Sequence, residues 1–414
     1  MPDPRDSRTV PASARDSRIV PASARDSGSR TGFGIVMAGG AARGAYQAGV
    51  LRYLYKDLPS RLGFTPWPDI VSGTSVGSLN GVFAAARDPA GIDHLMKLWQ
   101  NLHIHDVYRF GVLEMLRFLK APFQSDEAFG LLDGAPLRAL VEREFPGAAL
   151  RAAIDSGRTR AFIVSATELA TGRNALFIDA TGDTQLIDPL PHVSVYRQRT
   201  TPLHLVASAS IPFLFKPNQV EGKWMVDGGL RMNTPLRPVL RSGANRVLVV
   251  SLMQGPFRDY AVPDAVPNLF FLAGKTFNAL LLDPVERDVH QANKLNNLLT
   301  WGADRYGPDF GEAVGHDLDI HPVETLFIRP SLDIGKLAAQ IYRDHPPKVS
   351  LAVRYLLSRV SDDENATEAD LLSYLFFDRV FTGALEALGF EDAKRAEEDI
   401  VRLVGTEPTA APER

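Results

Sequence analysis

Gly73-Thr74-Ser75-Val76-Gly77 is the stretch of this chain best suited to chemistry. A serine flanked by glycines two positions away on each side is the pattern of a nucleophile elbow, a sharp strand-to-helix turn that exposes a hydroxyl. Such a turn forces its central residue into strained backbone geometry, and Gly73 and Gly77 let the strand and helix approach closely. A serine hydroxyl attacks only when a base takes its proton, and the tetrahedral oxyanion needs N–H donors already in place. Other parts of the chain must supply both. Read blandly, the same five residues are a Gly/Ser-rich turn.

A second stretch, Gly39-Gly40-Ala41-Ala42-Arg43-Gly44, follows the apolar run Phe33–Ala38 and opens a helical pattern from Ala45 to Lys56. A glycine-rich loop at a helix start offers backbone N–H groups and a positive dipole end to an anion. Three readings compete. A dinucleotide fingerprint needs G-x-G-x-x-G, which this loop misses by register, and a phosphate-binding P-loop needs a Lys-Ser/Thr pair that is absent. An oxyanion hole needs a nucleophile nearby, and Ser75 supplies one.

The third stretch is Trp224-Met225-Val226-Asp227-Gly228-Gly229, a carboxylate at the end of a short apolar run with two glycines behind it. Taken alone, Asp-Gly is a common turn pair, and a turn is the simpler reading.

These residues need elements to hold them. An apolar run through Ile70 and Val71 enters the elbow, and Leu79, Val82, Phe83 and Ala86 leave it at helical spacing. Further buried strands are expected at Ala161–Ala166, Ala175–Ile178, Arg246–Leu252 and Leu326–Ile328, and helices at Gly91–Leu102, Asp133–Phe145 and Leu203–Ser210. The second helix is expected to be N-capped by Asp133, with Pro136 in its first turn. Two apolar stretches, within Asp106–Phe123 and Leu269–Leu282, read as core or as a lid, acyl pocket or membrane-facing patch. Apolar strands without alternation, interleaved with helices, predict an α/β fold with a mostly parallel sheet covered on both faces.

Three regions are expected: a repeat-containing, disordered tail over 1–30, a catalytic α/β domain over 31–332, and a mainly helical extension over 333–414 with a polar tail. The tail repeats Arg5–Ala14 almost unchanged as Arg15–Ala24 and has no apolar face to bury. It also lacks the apolar core of a secretory signal, and nothing in the chain reaches the length of apolar residues that spans a bilayer. A cytoplasmic protein, peripheral at most to a membrane, is expected. A net charge of −4 gives no reason to expect nucleic acid, and the absence of cysteine removes disulfides, thiolate metal sites and cysteine nucleophiles.

In this order, Gly39–Leu51, Gly73–Gly77 and Asp227-Gly228-Gly229, with Ala207-Ser208-Ala209-Ser210-Ile211-Pro212 ahead of the aspartate, resemble the patatin-like phospholipase family over roughly Phe33 to Leu252. The resemblance implies a three-layer α/β/α sandwich and a Ser–Asp dyad acting on lipid acyl esters, with no metal or organic cofactor. Ser75 takes the nucleophile's place, Asp227 the base's, and Gly39, Gly40, Ala41, Ala42, Arg43 and Gly44 the oxyanion hole's. The commonest family pattern has glycine where this chain has Ala41; a Cβ there limits φ and crowds the carbonyl site.

The expected activity is hydrolysis of carboxylic esters of phospholipids or lysophospholipids through an acyl-enzyme on Ser75. The alternatives are a lipid- or protein-binding relative with a degenerate site, for which Ala41 is the hint, and an acyltransferase using the same dyad. A serine–acid–histidine triad also stands as an alternative, because His290, His316 and His321 follow Asp227. The dyad is preferred because none of these histidines sits at a recognisable strand end, and Gly315–His321 reads as a surface loop. No feature of the sequence specifies an oligomeric state.

Overall fold

The computed structural model describes residues 32–110, 130–182, 192–254, 285–307, 309–318, 320–347, 349–350, 353–354, 357 and 369–405. The repeats of 1–30, most of the apolar stretch ending at Phe123, the whole of Leu269–Leu282 and the tail from Thr406 lie outside them.

The described strands are β1 (Phe33–Met37), β2 (Ile70–Thr74), β3 (Ala161–Glu168), β4 (Asn174–Ala180), β5 (Val193–Arg197), β6 (Asn218–Val220), β7 (Lys223–Asp227), β8 (Arg246–Val250) and β9 (Glu324–Ile328). They form one sheet in the order β5-β4-β3-β2-β1-β8-β9, with β7 added to β3 and β6 to β7. The run β3-β2-β1-β8-β9 is parallel throughout. Its strands are near-continuous apolar segments, buried along almost their whole length in β1, β2 and β3. That is the pattern of strands covered on both faces, so the fold is the expected α/β sandwich with a mostly parallel central sheet.

The described α-helices longer than five residues, in chain order, are α1 (Gly44–Arg52), α2 (Val76–Ala86), α3 (Pro89–Asn101), α4 (Ala135–Glu144), α5 (Gly147–Asp155), α6 (Pro202–Ser208) and α7 (Leu236–Arg241). They continue with α8 (Val285–Tyr306), α9 (Asp309–Leu318), α10 (Ile334–Asp344), α11 (Ala369–Leu375), α12 (Arg379–Arg395) and α13 (Glu397–Val404). The sheet divides the core: one cluster holds Ile35, Met37, Val71 and Phe162, and the other Val36, Ile70, Ile163 and Val249. This is the alternation of side chains across a pleated sheet.

Residues beyond Asp333 share the first cluster through Leu372, Phe376, Phe381 and Leu385. Backbones of α1 and α12 touch directly. A Cβ on Gly49 would overlap Glu386 O, and one on Gly389 would overlap Tyr46 O, so both positions of this crossing require glycine.

Two local expectations are corrected. The N-cap of α4 is Gly134, because Asp133 is extended and bridged to Arg109; the Asp133 carboxylate still accepts the Ala135 N–H at 3.0 Å. The loop expected over Gly315–His321 is helical up to Leu318 in α9, anchored by Phe310 stacking on Tyr306 with ring centroids 5.7 Å apart.

Candidate active site

The pairing of β3 explains why Ser75 and Asp227 meet. One edge of β3 carries β4; the other carries β2 and then, beyond it, β7. Strand β2 runs parallel to β3 and ends with Thr74 opposite Ser165. Strand β7 runs the other way and ends with Asp227 opposite Ala166, the next rung. The two strands converge head-on along one edge, and each chain must turn away at once. Chain β2 turns at Ser75 into α2, and β7 turns at Gly228 into a short 3-10 turn.

Ser75 occupies the elbow tip with φ 53° and ψ −128°, a conformation that costs an L-residue on the order of 1–3 kcal/mol. The surroundings hold it there. Its N–H donates to Ser208 Oγ at 2.8 Å, and Ser208 in turn donates to Ser165 O at 2.6 Å. Its carbonyl accepts the Ser78 hydroxyl at 2.7 Å. A Cβ on Gly73 would overlap Gly77 O, and one on Gly77 would overlap Met37 O. The spacing of the elbow glycines is therefore a steric requirement of the strand–helix contact.

Asp227 is buried, with Oδ1 accepting the Gly229 N–H at 2.7 Å. Its Oδ2 is buried without a complete hydrogen bond, although the Ser75 side chain is near enough to favour the charged carboxylate. Burial is the dominant influence and raises the pKa; Ser75 and the Gly229 N–H oppose it, and the carboxyl is pushed up to about 6. Met225, two residues before Asp227 on the same face of β7, is fully buried, whereas Trp224 is 46% exposed. Gly228 packs on β3, where a Cβ would overlap Ser165 O.

The Gly39–Gly44 loop lies against the elbow: a Cβ on Gly39 would stand 3.3 Å from Ser75 Cβ. Three of its amides are already committed, Gly39 to Asn233 O at 3.1 Å, Arg43 to Gly40 O at 3.1 Å, and Gly44 to the carbonyls of Ala41 and Ala42. Among the described residues, the Gly40, Ala41 and Ala42 amides of this loop are left without a backbone acceptor. Ala41 has φ 49°, the left-handed region that glycine adopts without cost. A polar network ties the loop's helix to its neighbours: Asn80 Nδ2 donates to Gly44 O at 2.9 Å and to Gln47 Oε1 at 3.0 Å, and Trp99 Nε1 donates to Asn80 Oδ1 at 2.9 Å.

Ser75 and Ala41 open onto a cleft of about 950 Å³, part of it open to solvent. Its wall is apolar, built by residues such as Leu79, Phe83, Leu95, Leu140, Ile211 and Phe215. Glu144 is the one charged side chain among the described lining. Burial works against its charge, but Nε of Arg143 and Nε2 of His94, both at 2.6 Å, outweigh it and hold the carboxyl below the usual range. No described histidine lines the cleft, and the groups that act on the Asp227 carboxyl are Ser75 and the Gly229 N–H. His290 is exposed on α8, His321 packs beside Gly315, and the His316 side chain lies outside the described residues.

Ser208 accepts from Ser75, Asn233 pairs with Gly39 and Tyr374 lines the cleft, yet none of the three carries a motif of its own. Ser208 falls inside the Ala207–Pro212 segment, the one sequence signal that pointed near any of them.

Residues 35–240 match the family model described as patatin-like phospholipase. Over that span the chain belongs to the patatin-like phospholipase family, which at family level supports a lipid hydrolase. Among solved structures, VipD from Legionella pneumophila matches at 11% identity over 89% of this chain and 67% of its own, with a TM-score of 0.35. Human GIVD cytosolic phospholipase A2 matches at 12% identity over 90% of this chain and 60% of its own, with a TM-score of 0.40. Its complex with methyl gamma-linolenyl fluorophosphonate gives 12% identity, 90% and 59% coverage and a TM-score of 0.41. The chain thus spans about three-fifths of the length of the human enzyme. Among the described residues no helix is long and apolar enough to cross a membrane.

Proposed function

We propose that the protein is a serine acyl hydrolase that cleaves carboxylic esters of phospholipids or lysophospholipids. The observation that carries this reading is the convergence of Ser75 and Asp227 on one edge of β3, with Ser75 lining an apolar cleft. Asp227 takes the proton of the Ser75 hydroxyl as Oγ bonds to the ester carbonyl carbon. A carboxyl titrating near 6 is ionised at neutral pH, yet a stronger base than an exposed aspartate.

The oxyanion is received by the free amides of Gly40, Ala41 and Ala42 and by the start of α2, whose dipole favours negative charge. Arg43 holds the loop. The alcohol leaves with the proton from Asp227, and water then attacks the Ser75 acyl-enzyme with Asp227 again as base. The cleft takes the acyl chain, because an apolar wall rewards burial of each methylene by about 0.8 kcal/mol. An alcohol replacing that water would make the same dyad an acyltransferase.

The test is a fluorophosphonate probe together with kcat/KM on a short p-nitrophenyl ester and on long-chain phospholipids and lysophospholipids. Wild-type labelling is expected at Ser75, with both Ser75→Ala and Asp227→Asn inactive while folded by circular dichroism. His290→Ala, His316→Ala and His321→Ala are expected to keep most of the activity. A folded histidine variant as inactive as Ser75→Ala would replace the dyad with a triad. Folded wild-type protein that does not label would favour a lipid- or protein-binding role.

A further inference from the structure

Arg43 is a buried cation three residues from Gly40, and its partners come from the far end of the chain. Its Nε donates to the buried Ser373 Oγ at 2.7 Å, and its guanidinium carbon stands 4.1 Å from the centroid of the Tyr374 ring. Both residues lie on α11, well beyond the span 35–240 that matches the family model. The next residues continue into the cleft: Tyr374, Leu375 and Phe377 line it together with Ala41 and Ser75.

This segment is fixed independently of Arg43. Leu375 O accepts the hydroxyl of the buried cleft residue Tyr108 at 2.9 Å. Phe376 stacks on Phe381 with centroids 5.4 Å apart, and Phe377 meets Tyr108 edge-on at 6.4 Å. It is a packed wall against which the arginine is held.

We propose that Ser373 and Tyr374 are positioning residues for the oxyanion loop, acting through Arg43, and that Ser373–Phe377 completes the acyl site; this rests on the serine acyl hydrolase reading above. The physical reason lies in the loop's backbone. Ala41 is held at φ 49°, a conformation an alanine keeps only under external restraint. The Arg43 N–H closes the turn onto Gly40 O at 3.1 Å, so displacement of Arg43 reaches Gly40 and Ala41 through one hydrogen bond. A buried guanidinium that loses its hydrogen-bond acceptor or its aromatic face has to move toward water. Oxyanion donors act only when already aimed at the developing charge, so a small shift of the loop lowers kcat more than it weakens substrate binding.

The experiment uses the full chain as wild type, Ser373→Ala, Tyr374→Leu and Tyr374→Phe. It records kcat and KM on a short p-nitrophenyl ester, the fluorophosphonate labelling rate at Ser75, and the melting temperature. Tyr374→Leu is expected to lower kcat and the labelling rate about tenfold, with KM for the short ester changed by less than about twofold. Ser373→Ala is expected to show the same split at about threefold, and Tyr374→Phe, which keeps the ring face, to recover most of the loss.

A folded Tyr374→Leu at wild-type kcat overturns the proposal, and so does a Tyr374→Phe that falls as far as Tyr374→Leu. Should Tyr374→Leu not fold, Ser373→Ala decides, and wild-type kcat in that folded variant overturns it. Wild-type labelling at Ser75 with unchanged rates in the variants sinks this inference alone. Wild-type protein that never labels sinks the acyl hydrolase reading as well.

Discussion

Gly39 and Asn233 exchange two hydrogen bonds: the Gly39 N–H donates to Asn233 O at 3.1 Å, and Asn233 Nδ2 donates to Gly39 O at 3.3 Å. One residue before Asn233, Met232 O accepts the Thr74 hydroxyl at 2.8 Å. The turn after Asp227 is therefore tied to both the glycine loop and the strand that carries Ser75. Asn233→Ala keeps the backbone bond and loses the side-chain bond, together with an Oδ1 that is buried and unpartnered. The two stability effects oppose each other, so unfolding free energy should change by less than about 1 kcal/mol. The rate should fall about tenfold as Gly39 loses a restraint. Urea denaturation and kcat/KM on a soluble ester measure both; an unchanged rate would show that the backbone bond suffices.

Activity should depend on the ionisation of Asp227. Its carboxyl titrates near 6 because burial outweighs the Ser75 and Gly229 interactions, and only the charged form accepts a proton from Ser75. The expected profile of kcat/KM rises through pH 6 with unit slope and reaches a plateau near neutrality. A pH–rate profile on a non-ionising ester reads this directly. Full activity persisting at pH 5 contradicts the assignment.

The same burial makes Asp227 a cost to the fold at neutral pH. A carboxyl whose folded pKa is raised favours the fold most below its unfolded value near 4, and that contribution is lost as the pH rises through about 6. Asparagine does not ionise and keeps an acceptor for the Gly229 N–H. Asp227→Asn should therefore be more stable than wild type at pH 8, on the order of 2 kcal/mol, with the difference vanishing near pH 4. Denaturation curves at the two pH values test it, and a pH-independent difference would falsify the burial argument.

Ala41→Gly removes a Cβ from a residue at φ 49° on the wall of the cleft. Relief of left-handed strain exceeds the extra chain entropy of glycine, for a net gain of about 0.5–1 kcal/mol. The cleared Cβ also makes room for the substrate carbonyl, so kcat/KM should hold or rise. Thermal melts and ester kinetics report both effects. A variant that is less stable and slower would mean that Ala41 is the preferred residue here.

What the sequence disclosed was local. Gly73 and Gly77 were readable because each must lack a Cβ to let β2, α2 and β1 touch, and that need fixes both residue type and spacing. The alternation of apolar strands and helices disclosed the sheet. Residues that act at long range left little trace, Ser208 only through its place in the Ala207–Pro212 segment. Ser208 supports Ser75 from 133 positions away, and Ser373 reaches Arg43 across 330. A serine or tyrosine in those places has no pattern to obey, because its partner is set by tertiary packing. Helix α9 was hidden for a related reason: its polar residues suggested a loop, and the apolar anchor that makes it a helix, Phe310 on Tyr306, belongs to contact with another helix. Asp133 misled because its backbone is engaged in a bridge to Arg109 and cannot also start the helix.

The backbone crossing of α1 and α12 governs the order in which the chain can fold. Tyr46 and Asp392, joined by a hydrogen bond beside that crossing, are 346 positions apart. Helix α1 emerges from the ribosome early, with Gly49 presenting bare backbone where α12 will later lie. Until α12 is synthesised, that groove has no partner, and α1 stays on the sheet without its outer cover. Contacts of such large sequence separation form slowly and leave apolar surface open in the interval. Nascent chains stalled before Arg379 should therefore remain open to protease at α1 and bind chaperones, whereas chains released past Val404 should close. Protection of α1 in the shorter chains would show that the first helix settles without the last.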